Sequence, residues 1–134
     1  MLERLIAAIE VEAQAQTIKD ERFVREQRIL DEAAPRIWKS LRDALKAEAG
    51  KYPKHFTFEV QPDTEVIIRG TSRKVLEVEF LTESKAVAFR CGEVEGECVM
   101  RLDAQNRAVI CDSEAKPYPS VGFVAEWMLS LILQ

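Results

Sequence analysis

The segment VLEVEFLTESKAVAFRC, residues 75–91, decides how this chain folds. Leu76, Val78 and Phe80 alternate with Glu77 and Glu79, and Val87, Phe89 and Cys91 alternate with Ala88 and Arg90. A period of two marks a strand with one covered face. A turn at Glu83-Ser84 sets Phe80 opposite Val87, Val78 opposite Phe89 and Glu77 opposite Arg90. Apolar then meets apolar, and acid meets base, across the hairpin.

The same test extends in both directions. Upstream, Phe56, Phe58 and Val60 alternate with Thr57 and Glu59. Three-residue loops at Pro62-Asp63-Thr64 and Thr71-Ser72-Arg73 align Val60 with Val66 and Ile68 with Leu76. Downstream, four loop residues from Glu93 to Gly96 align Cys91 with Cys98 and Phe89 with Met100. A two-residue turn at Gln105-Asn106 aligns Leu102 with Val109 and Met100 with Cys111. All are common hairpin lengths, and none leaves room for a parallel crossover. The pattern predicts a six-stranded antiparallel meander over residues 55–113 with one apolar face. The other face carries Glu59, Arg69, Glu77, Glu79, Arg90, Arg101 and Asp103 together with Ile67, Val75, Ala86, Ala88, Val99 and Ile110. That mixture calls for cover, by the N-terminal helical segment or by a second subunit.

Beyond the sheet, SVGFVAEWMLSLIL (residues 120–133) follows Pro119, with Ser120 placed to cap a helix. Only Gly122, Glu126 and Ser130 interrupt its apolar surface, the pattern of a helix covered on more than one side. Residues 1–50 read as helix. Leu2, Leu5, Ile6, Ile9 and Ala13 recur at helical spacing, and the pattern weakens from Gln14 to Leu30. That stretch is either an exposed helix held by ion pairs or a bend between two helices. Pro35 is costly inside a helix and tolerated at its start. A second helix is therefore predicted from near Ala34, with Ile37, Trp38, Leu41 and Leu45 inward and its end at Gly50 before Pro53. The fold class is α+β in a single domain, 1–134. One or two N-terminal helices precede the six-stranded antiparallel meander, and an apolar C-terminal helix packs on one sheet face.

A chain of 134 residues buries a core without staples. Its net charge of −4 argues against a nucleic-acid partner. Arg22, Arg25, Arg28, Arg36, Lys39, Arg42 and Lys46 are interleaved with acids, as on a solvated helix. The C-terminal apolar run is shorter than a membrane span, and the N-terminus lacks a secretory pattern. Three cysteines, an odd number, fit a reducing compartment. Cytoplasmic localisation without a membrane partner is the expectation.

Cys91, Cys98 and Cys111 lack metal-site spacing and all fall on the predicted inward face. They read as buried thiols, with Cys91 and Cys98 as the alternative redox pair across one hairpin. His55 has no nucleophile near it in sequence, and Asp63 in the next turn is its nearest candidate carboxylate. Glu93, Glu95 and Glu97 lack the dense oxygen ligands of a calcium loop. No catalytic residue, metal or cofactor is assigned. The residues point to a non-catalytic binding or assembly protein, a homo-oligomer that uses the sheet face or the N-terminal helix as its surface, with a protein partner as the broader form of the same reading. The alternative is a carrier of a small apolar ligand. In element order the layout resembles the helix-grip architecture of lipid- and hormone-binding proteins, although no strand stands ahead of the helices. That resemblance implies a pocket under the C-terminal helix, lined by Phe58, Val78, Phe89, Met100, Trp127 and Leu131.

Overall fold

The computed structural model describes residues 1–59 and 61–134. Helix α1 spans Leu2–Lys51. Strands β1 (Phe56–Glu59), β2 (Glu65–Gly70), β3 (Val75–Leu81), β4 (Ala86–Cys91), β5 (Val94–Leu102) and β6 (Ala108–Cys111) follow, and helix α2 covers Val121–Leu133. The strands lie in chain order, each antiparallel to the next, in the expected α+β meander.

Three hairpins keep the predicted register. Phe58 faces Ile68, Ile68 faces Leu76, and Val78 and Phe80 face Phe89 and Val87. The Val60–Val66 pairing falls outside the described residues. Arg90 Nη2 donates to Glu77 Oε2 at 2.7 Å, so the predicted cross-strand pair forms.

The other two hairpins differ. Between β4 and β5 the loop is only Gly92-Glu93, so Cys91 faces Val94, Val87 faces Cys98 and Phe89 faces Gly96. Gly92 has φ +63, the sign that the first central residue of a tight II′ hairpin requires and glycine supplies without strain. The Phe89 ring lies over Gly96, where an added Cβ would come within 2.8 Å of the ring. An aromatic ring covering a strand glycine holds this register. The slip is four residues, an even number, so each side chain keeps its face.

Between β5 and β6 the slip is one residue, and the faces invert. Met100 faces Ile110, and Cys111 faces Val99. The cause is a three-residue loop, Ala104 to Asn106. Asp103 Oδ1 accepts from the N–H groups of Gln105 and Arg107, and Asn106 takes φ +59. Ile110, predicted outward, enters the core, and Cys111, predicted inward, lies on the outer face. Cys111 is nevertheless buried, because the chain folds back at once. Asp112 Oδ1 accepts from Glu114 and Lys116, Ala115 takes φ +64, and Pro117 bridges to Cys111. Residues 112–117 thus repeat the preceding turn and cover the edge of β6.

The predicted boundary at Pro35 is also corrected, since α1 is one helix with Pro35 inside it. Pro35 is exposed, while Ala34 and Trp38 beside it are buried. The missing N–H removes one hydrogen bond without disturbing the packed face.

Both helices contribute to one core. Helix α2 lies against β2, β3 and β4 and also against α1, so Val124, Ala125, Met128, Leu129, Leu131 and Ile132 are buried from two sides. The Ser120 Oγ accepts from Phe123 N at 3.0 Å, as its capping position requires. From α1, Ala34, Trp38, Leu41, Leu45 and Ala49 complete the core, with Trp38 stacked on Phe80. The Trp38 indole N–H donates to the Asp63 carbonyl, and Arg42 Nη1 reaches Asp63 Oδ1 at 3.1 Å. These bonds tie α1 to the β1–β2 turn.

Two glycines test this packing in opposite directions. A Cβ on Gly70 would lie 2.2 Å from Ile132 Cγ2, whereas one on Gly50, in the last turn of α1, would meet nothing within 4 Å. Gly70→Ala is expected to lower unfolding free energy by about 1–3 kcal/mol. Gly50→Ala is expected to raise it by roughly 0.5–1 kcal/mol. Urea melts of both variants check the pair; equal effects would contradict the contact of β2 with α2.

Candidate functional site

The largest uncovered feature is the first half of α1. Every residue from Met1 to Arg25 is exposed, and burial becomes regular only from Ala34. At 1.5 Å per residue this arm extends about 40 Å from the folded body. Its exposed apolar residues include Leu2 at 71%, Ile6, Ile9, Phe23 at 61% and Val24.

Their phase matters more than their number. At about 100° per residue, Leu2, Leu5, Ile6, Ile9, Ala13, Phe23 and Val24 fall within roughly 60° of the line through Ala34, Trp38, Leu41, Leu45 and Ala49. One apolar stripe therefore runs the length of α1. Its lower half is covered by the sheet and α2, and its upper half by nothing in this chain. Gln16, Asp20, Gln27 and Asp31 interrupt the stripe, the first two joined by a 3.0 Å hydrogen bond from Gln16 Nε2 to Asp20 Oδ1. Sequence reading missed Phe23 and Val24 as members because Ile18 and Ile29 lie nearby on the opposite side. Counting back 14 residues from Ile37 and Trp38 reaches both, since two turns repeat about every seven residues.

The second feature is the outer face of the sheet, which neither helix covers. A groove of about 780 Å³ crosses β2 to β5, and Glu65, Glu77, Glu79, Glu95, Glu97 and Arg90 line it. Glu65 stands directly opposite Glu79, and Arg90 lies between Glu77 and Glu95. This face is acidic and solvated. Glu93 sits in the adjoining turn, and among the described residues no group of three His, Cys, Asp or Glu forms a cation site.

The six residues expected to line a pocket lie in or against the core. Val78, Phe89, Met100 and Leu131 are buried, while Phe58 and Trp127 are half-buried and packed on them. Phe89 and Trp127 meet edge to face with ring centroids 5.0 Å apart, and Tyr118 stacks on the other side of Trp127. His55 is exposed, at the rim of an open groove of about 550 Å³ that also takes in Glu48, Tyr52 and Glu126. Asp63 is engaged by Trp38 and Arg42, so His55 gains no carboxylate from that turn. Among the described residues no polar or charged side chain is buried.

All three cysteines are free and buried. The register removes the proposed redox pair, because Cys91 faces Val94 and Cys98 faces Val87. Burial pushes the Cys98 thiol up to about 11, against a smaller opposing pull from the Tyr118 hydroxyl beside it. Burial likewise pushes Tyr118 up to about 12. Both groups therefore keep their protons at neutral pH.

Comparison with protein-family models, with curated proteins and with solved structures finds no match. Among the described residues no helix is long and apolar enough to cross a membrane.

The cysteine environment has a measurable consequence. The unfolded Cys98 thiol begins to ionise near 9.0, while the folded one holds its proton until about 11. Stability is therefore full below the lower value and is lost as pH rises through that window. Melting temperature is expected to hold steady to about pH 9 and then fall, and Cys98→Ala is expected to flatten the decline. An unchanged slope in that variant would show that Cys98 does not govern it.

Proposed function

We propose that this protein is a non-catalytic assembly module that joins a second copy of itself through the projecting half of α1. The observation that carries this reading is the uncovered upper half of an apolar stripe whose lower half is already an interface. Large apolar side chains aligned on one face gain about 1.5–3 kcal/mol each when taken out of water. Such patches mark partner sites.

Between the two surfaces that sequence favours, charge selects the helix. Two copies meeting through the central groove of their outer sheet faces would bring Glu65, Glu77, Glu79, Glu95 and Glu97 against the same five residues, with Arg90 as the groove's one basic residue and Arg69 and Arg101 nearer the strand ends. Like charges juxtaposed across an interface cost several kcal/mol. The arm carries no such single-signed field. Three buried, unpaired cysteines support residence in a reducing compartment, and we place the protein in the cytoplasm on that basis.

Light scattering and sedimentation test the reading. The wild-type chain is expected to run at twice its chain mass. Replacing Ile6 and Phe23 together by Glu buries unpaired charge, at about 3 kcal/mol or more for each site. That is enough to weaken association more than about 100-fold. The variant should be a monomer with an unchanged melting temperature when dilute, because neither residue touches the core. A wild-type monomer at the highest soluble concentration would overturn the proposal.

A further inference from the structure

Resting on that self-association, we infer that the two arms pair antiparallel, with their midpoint between Ala15 and Gln16. The first argument is steric. In a parallel pair the two stripes face each other along their whole length. Below Leu30, however, the stripe of each α1 is filled by its own sheet and α2. A parallel partner would have to occupy that volume with its own folded body. In an antiparallel pair each arm lies only on the open half of the other, and the two bodies stand at opposite ends.

The second argument is charge. Glu12 and Lys19 lie together on one border of the stripe, about 60° and 80° from its centre line, while Glu3 and Arg28 lie about 100° or more from it on the other side and point away from a facing helix. Antiparallel helices bring like borders together. A register in which paired positions sum to 31 therefore sets Glu12 beside the second copy's Lys19, a pair that occurs twice by symmetry. A parallel pair brings opposite borders together five residues apart. That arrangement sets Glu12 by Thr17, Lys19 by Val24 and Glu26 by Asp31, with no attractive pair at all.

The third argument concerns the stripe itself. In the antiparallel register Phe23 enters the gap between Ile6 and Ile9 of the second copy, a knob between two smaller residues. The two Asp20 side chains stand nine positions apart, roughly 13 Å along the axis. Parallel pairing would place them face to face in the apolar stripe, where two carboxylates cannot both remain charged cheaply.

Spin labels on single cysteines introduced at Ala7 or Ala15, both away from the stripe, read the orientation, since the native thiols are buried. Antiparallel arms separate the two Ala7 labels by about 26 Å along the axis and the two Ala15 labels by about 2 Å. The Ala7 distance is therefore expected to be clearly the longer. Equal distances at the two positions would overturn the antiparallel orientation while leaving self-association intact. No dipolar coupling at either position, in a protein that scatters as a monomer, would overturn the underlying reading instead. Charge exchange gives an independent check. Glu12→Lys and Lys19→Glu are each expected to weaken association about two- to tenfold, and the double variant to restore it. Failure of the double variant to recover would count against the register.

Discussion

Helix α2 gives one edge, Gly122, Phe123, Glu126 and Leu133, to water and must bury the rest, and the architecture is this chain's way of covering it. Val124, Met128, Leu129, Leu131 and Ile132 point in several directions from one axis and are all buried. No single surface encloses such a helix. The sheet supplies one wall through β2, β3 and β4, and α1 supplies the other. Each wall must then be apolar where it touches. For the sheet this is a demand on register, because a slip of one residue exchanges its faces. For α1 it is a demand on phase, which sets Ala34, Trp38, Leu41, Leu45 and Ala49 in line.

How much of this is legible in the sequence depends on what fixes each hairpin. Between β3 and β4 the side chains themselves decide, since only one alignment pairs Phe80 with Val87 and Glu77 with Arg90. Between β4 and β5 apolar matching is misleading. Pairing Cys91 with Cys98 looks better than pairing Phe89 with Gly96, yet a ring laid over a bare glycine is the arrangement that forms. Between β5 and β6 the deciding groups are the Asp103 carboxylate and a left-handed Asn106, neither of which belongs to the apolar pattern. Asn tolerates that conformation and so offers a cue. Ala115, which does the same work one turn later, offers none.

Helix α1 shows the limit of a local rule in another way. Pro35 would end a helix whose next residues had no reason to continue. Here no glycine or further proline occurs between Met1 and Ala34, and Ala, Glu, Gln, Arg and Leu dominate the stretch. Those residues favour helix. The arm's apolar members were partly visible as Leu2, Leu5, Ile6 and Ile9. Phe23 and Val24 fall into line only when their phase is carried back from the buried half across Pro35, which requires knowing that the helix is continuous.

That continuity separates two reasons for the arm's composition. The nucleation cost of a helix is met by its packed lower half, so the arm needs only favourable propagation, which its residues supply. The Arg22–Glu26 pair at 3.3 Å adds an i,i+4 ion pair away from the apolar stripe. Helicity alone would be served better by Ala or Glu at Ile6, Ile9, Phe23 and Val24, since β-branched and aromatic residues lose side-chain freedom in a helix. Ile6, Ile9, Phe23 and Val24 weaken the isolated helix yet keep the phase of its buried face, which is the composition the proposed self-association uses. In that proposal the bordering charges set the orientation, because Glu12 of one copy meets Lys19 of the other when the second helix is reversed.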